Sequence, residues 1–159
     1  MLFLSVLLVA SQPLPPADGA GLGRTAWIVA TVGHSEWCPA GNVRLDLSTG
    51  RYRFTAGVRR PACTDESLER PVRVGTLGAG PLATIRAAFL RVLDEDVMDS
   101  ACRDGSPQDH VVISNGGTPV LVLTTGALTV STPDDLTCWS PAANALHDTL
   151  ERTFPGNPR

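Results

Sequence analysis

The amino-acid sequence predicts an α+β domain: an antiparallel sheet of two hairpins plus an N-terminal strand, with two helices packed on one face. Three observations carry this. Residues 43–55 alternate apolar and polar side chains about a central Thr49-Gly50, the period of two that marks a half-buried hairpin. Two short apolar runs, 25–32 and 119–124, have strand length and β-branched composition. Two further stretches, 82–93 and 143–154, space their apolar residues by three and four, which places them on one face of a helix. Strands arriving as hairpins, with helices between and after them, favour an antiparallel sheet over a parallel one.

Taken in order, residues 25–32 predict a buried strand ended by Gly33. In the hairpin, a two-residue turn at Thr49-Gly50 would set Leu47 opposite Tyr52, Leu45 opposite Phe54 and Asp46 opposite Arg53, with apolar pairs inward and the ion pair in water. Residues 59–70, polar and punctuated by Pro61, read as a loop tethered at Cys63, and 72–74 as a short strand. Pro81 opens the first helix at a position where its missing N–H does no harm. Leu82, Ile85, Phe89, Val92 and Leu93 form its apolar face, with Arg86 and Arg91 on the other, and it ends near Asp94-Glu95-Asp96. A second hairpin is expected between 110–114 and 119–124 around Asn115-Gly116-Gly117, both arms covered on both faces. An edge strand at 127–130, one turn at 134–138 and a helix from Pro141 to about Phe154 complete the series, the last burying Ala143, Leu146, Leu150 and Phe154.

The chain divides into a signal peptide and linker, residues 1–20, and a single disulfide-stabilised domain, residues 25–155. Residues 1–10 carry no charge and run into a small-residue and proline cluster. An apolar segment of about nine residues is too short for a bilayer core that needs about twenty, which favours a cleaved export signal over an anchor. Small residues allow cleavage after Ser11 or after Gly19. No cysteine follows the apolar run directly, so a lipid-anchored N-terminus is not expected. All thirteen basic residues are arginines, a skew that fits a GC-rich bacterial genome. Charged residues at 18% and a net charge of -3 exclude a disordered chain and argue against nucleic-acid binding.

Cys38, Cys63, Cys102 and Cys138 are widely spaced, without any C-x-x-C; zinc ribbons and thioredoxin-type redox pairs are therefore not indicated. In an exported chain they read as two disulfides. Three pairings exist on paper, and the hairpin favours 38–63, since those residues flank its turn at similar distances, leaving 102–138.

No constellation defines a catalytic, cofactor or metal site. The glycine-rich 75–80 stretch lacks both dinucleotide and phosphate-loop spacing, and the chain has no lysine. His34, His110 and His147 are not spaced as metal ligands. His147-Asp148 reads as a solvated helix face, and a triad of Ser114 or Ser140 with His147 lacks any nucleophile motif. The acidic residues Asp94, Glu95, Asp96, Asp99 and Asp104 miss EF-hand spacing and read as a solvated helix end. The arginines of the first half (44, 51, 53, 59, 60, 70 and 73) could form a face for an anionic partner; pairing with Asp46, Asp65, Glu66 and Glu69 or with the acidic second half is the reading favoured from sequence. Trp37 and Trp139, each beside a cysteine, read as core; Trp27 stays open between core and contact anchor.

In element order the region from Val43 to Phe154 resembles small exported, inhibitor-like bacterial domains of the emfourin kind, and no residue role is carried across. The expectation is a periplasmic or secreted protein without catalytic activity that binds another protein or a second copy of itself. It needs no cofactor and keeps no membrane anchor after cleavage. A small periplasmic enzyme and a structural envelope component are the alternatives.

Overall fold

The computed structural model describes residues 26–33, 40–57, 70–103, 120–126, 128–133 and 136–155. The leader, Cys38, Cys63, His34, His110, Trp37 and the 110–114 arm of the second expected hairpin lie outside these residues. The strands are β1 (Ala26–Val32), β2 (Gly41–Asp46), β3 (Arg51–Thr55), β4 (Val72–Thr76), β5 (Leu121–Thr125) and β6 (Leu128–Ser131). The helices are α1 (Ala79–Glu95), α2 (Ser100–Arg103) and α3 (Pro141–Thr153), with a 3-10 turn at Leu136–Cys138. All six strands join one antiparallel sheet in the order β4-β3-β2-β1-β5-β6. The α+β architecture with helices on one face is the one the sequence predicts.

Strand β1 is central because it alternates without a break. Ala26, Ile28, Ala30 and Val32 are buried on the helix side, and Trp27, Val29 and Thr31 are half-buried on the other. Val43, Leu45, Phe54, Leu121 and Leu123 continue the inner layer, and α1 and α3 cover it with Ile85, Phe89, Val92, Leu146 and Leu150. Phe154 closes the layer at the end of α3, edge-on to Tyr52 at 5.0 Å and stacked near Phe54 at 5.9 Å. Ser140 caps α3 by accepting from the Ala143 N–H, and its hydroxyl donates to the Asp96 carbonyl. No helix among the described residues is long and apolar enough to cross a membrane.

The first hairpin forms, two residues out of the expected register. Leu45 faces Tyr52, Val43 faces Phe54, and Arg44 rather than Asp46 faces Arg53. Asp46 is the reason. Its carboxylate accepts from the backbone N–H groups of Ser48 and Thr49 and from both of their hydroxyls, an Asx-type closure that needs a longer loop than two residues. Gly50 then turns back with φ 73, a left-handed angle that favours glycine. Leu47, released from the ladder, donates its N–H to the Ala26 carbonyl and is fully buried. Arg86, expected on the free face of its helix, reaches across to donate to the Leu47 and Ser48 carbonyls at 2.7 and 2.9 Å.

Strand β5 differs from expectation more deeply. One edge pairs with β1 and the other with β6, so its hairpin partner is the edge strand at Leu128–Ser131. It is buried on one face only, with Val122 half-buried on the other. The stretch at 72–74 extends to Thr76 and forms the opposite sheet edge, wholly exposed. Cys102 and Cys138 are disulfide-bonded with Cα atoms 5.6 Å apart. Beside them Met98 bridges Trp139, and Asp99 donates to the Cys138 carbonyl, so the bond ties the end of the α1–α2 segment to the entry of α3. Trp139 is 3% exposed and donates to the Pro133 carbonyl, the core role expected of it. The preferred partner bond, Cys38 with Cys63, lies outside the described residues.

Candidate functional site

Period-two geometry sends every second side chain of β1 to β6 away from the helices. On that open face stand Trp27 and Val29 of β1, Arg44 of β2, Arg51 and Arg53 of β3, Val74 of β4 and Val122 of β5. Trp27, Arg44, Arg51, Arg53, Val74 and Thr76 line a shallow depression of about 670 Å³ together with Asp46, Tyr52 and Gly75. Tyr52 belongs to the inner face and lies over Gly75, where an added Cβ would stand only 2.8 Å from its hydroxyl.

The electrostatics of this face are predominantly positive, three arginines to one carboxylate in the depression. Arg44 and Arg53 are exposed and directly opposite one another, an arrangement that is destabilising in a sheet without a counter-ion. Arg44 sets its guanidinium 4.7 Å from the centre of the Trp27 ring, a cation–π contact that orients both groups. Among the described residues the salt bridges are Arg91–Glu95 and Arg103–Asp96, neither on this face. Asp46, expected to pair with Arg53, is instead committed to its turn. Its burial would raise the carboxyl pKa, but hydrogen bonds from Ser48 and Thr49 outweigh that and hold it below its ordinary value of 3.8. Asp65, Glu66 and Glu69, the other expected partners, lie outside the described residues. A carboxylate already accepting this many hydrogen bonds is a poor base. The set of groups here is suited to holding an anion beside an aromatic ring.

Other candidates resolve into structural roles. His147, expected to be solvated, is half-buried: its Nε2 lies 2.7 Å from the Thr31 carbonyl, and its ring meets Trp139 edge-on at 5.4 Å. Glu151 accepts from the Gly33 N–H at 3.1 Å. Together they fasten α3 to the end of β1. Ligand atoms of His147, Asp148 and Glu151 fall within 4.8 Å of one another, but two of the three are occupied by that clamp. Ser140, spent on capping α3, does not meet His147 as a nucleophile would. At the end of α1, Asp96 caps by donating its N–H to Val92 and pairs with Arg103, Asp99 accepts from the Ala101 N–H, and Glu95 pairs with Arg91. These acids serve as the helix end and loop that the sequence suggests. A second, smaller hollow of about 350 Å³ lies there, between Val92, Arg103 and Leu128.

Sequence reasoning grouped Arg44, Arg51 and Arg53 as a possible face for an anionic partner but did not set Trp27 among them. The signal that could have done so is alternation: 27, 44, 51 and 53 all occupy the polar phase of their strands. Comparison with known protein families, with curated proteins and with solved structures finds no match for this chain.

Proposed function

We propose that this protein is an exported, non-catalytic binding module that grips an anionic protein surface with the open face of its sheet. The reading rests on one observation above the others. Arg44 and Arg53 stand opposed beside Trp27, neither in a salt bridge with a carboxylate among the described residues, since Asp46 in the same depression is committed to its turn. An excess of positive charge beside a half-buried aromatic favours a partner that brings the other sign, and a Trp with arginines is the composition of an energetic contact centre. The Cys102–Cys138 disulfide agrees with an oxidising compartment outside the cytoplasm.

The test is capture from periplasmic extract and culture medium by the mature protein and by its Arg44→Glu/Arg51→Glu/Arg53→Glu variant, compared by mass spectrometry. The expected result is one acidic protein retained by the native chain, lost from the variant and released by salt. Equal retention by both proteins overturns the reading. Intact mass with and without thiol alkylation checks the compartment; cysteines that alkylate without prior reduction refute export into an oxidising space.

A further inference from the structure

We infer that the partner docks as an extended acidic segment that adds a seventh strand to the free edge of β4. This names the mode and chemistry of the binding proposed above and rests on that reading, but the edge itself is an independent observation. Ala56 donates to the Pro71 carbonyl, and Leu77 donates to the Gly50 carbonyl. These bonds fix the phase of the β3–β4 ladder. In an antiparallel pair the backbone groups of alternate residues face the same neighbour, so Arg73 and Gly75 turn theirs toward β3. Val72, Val74 and Thr76 turn their N–H and C=O groups outward, where no described residue meets them.

Natural sheets commonly protect such an edge with proline, lysine or a bulge. β4 has none of these within its five residues. Instead it exposes Val74 at 71% and Val72 at 46%. Its one charged side chain, Arg73, lies over the Phe54 ring at 4.6 Å from the centroid. Among the described residues the edge is therefore regular and left open.

Charge selects the occupant. A strand paired to β4 would stand about 9–10 Å from β3, two strand spacings away. An acidic side chain on its open face would look across short Val74 toward Arg53, the cross-strand neighbour of Val74, and toward Arg51 beside Thr76. An extended arginine and glutamate together span that gap. A second copy of this chain would instead bring another Arg73 to the seam and another Arg51 and Arg53 one strand behind it, an excess of like charge that disfavours pairing. Backbone bonds would supply register and the acids would supply selectivity, the division of labour of β-strand addition.

The probe is a synthetic nine-residue peptide of alternating Glu and Val, titrated onto the full mature protein at low salt. Its counterparts carry Lys for Glu, or methyl groups on the glutamate amide nitrogens. The Glu peptide should bind, both counterparts should bind at least tenfold more weakly, and hydrogen exchange at Val72, Val74 and Thr76 should slow on binding. Val74→Pro removes an outward donor, and Val74→Asp keeps the donor but repels the peptide; each should cost at least tenfold. No binding of the Glu peptide overturns the proposal. Equal binding of the methylated peptide also overturns strand addition, while leaving the arginine face standing if the triple charge reversal still loses the captured partner. A concentration-dependent dimer abolished by Val74→Pro gives the edge to a second copy and overturns the acidic segment.

Discussion

The two faces of this sheet are made from alternate residues of the same strands, yet one is closed and the other open. The helix side is fully apolar at its centre, with Ile28, Leu45, Phe54, Leu121 and Leu123 at most 1% exposed. The far side keeps a half-buried Trp27 and Val29 among exposed arginines. A face that serves only stability would not set Arg44 against Arg53. The contrast teaches that folding free energy is concentrated on one side of a single layer, leaving the other free to carry unfavourable charge.

Mutations on the two sides should separate these roles, and the widest gap should come from the core. Phe89→Ala removes a fully buried ring from the centre of α1 and should destabilise by about 3–5 kcal/mol in chemical denaturation. A loss below about 1 kcal/mol would mean that the closed face is not where stability resides. Replacing Cys102 and Cys138 together by Ser opens a crosslink spanning 36 residues and should cost about 3–4 kcal/mol on the chain-entropy account. Ser140→Ala, which strips the cap of α3 and its tie to Asp96, should cost about 1 kcal/mol, read as a shift in denaturation midpoint at constant slope.

Smaller effects belong to the open side. Because the folded Asp46 carboxyl titrates below its ordinary value of 3.8, its turn contributes stability above that pH and loses it as pH falls through the lower folded value. The stability gap between the native chain and Asp46→Asn should thus be steady at neutral pH and close below about pH 4. A gap that widens on acidification would contradict the turn assignment. Smallest of all, Arg53→Thr should stabilise by a few tenths of a kcal/mol by ending the opposition with Arg44, while weakening partner capture. Stability lost together with binding would move Arg53 to the structural side of the comparison.

Much of the inner layer was legible in the sequence because it depends on period alone. The faces of α1 and α3, the inward set of the first hairpin and the burial of Trp139 follow from spacing by three and four or by two. Register did not follow. A shift of two residues leaves every side chain on its proper face, so alternation cannot detect it; the clue was chemical, in Asp46 preceding Ser48, Thr49 and Gly50. The role of β5 was misread because an apolar run does not say which strand it will meet, and its neighbours β1 and β6 lie on opposite sides of it in sequence. His147 was misread because its acceptor, the Thr31 carbonyl, is 116 residues away. The open face was half visible: its arginines could be counted, but their sharing one depression with Trp27 depends on strand order.

The Cys102–Cys138 bond also decides what a protease can accomplish. Strands β5 and β6 both lie between its two ends, so a backbone cut anywhere from 103 to 137 leaves one covalent molecule. Nicked protein of this kind would migrate as a single species until a reductant parts the fragments, and a chain cleaved once there would keep its pieces in register.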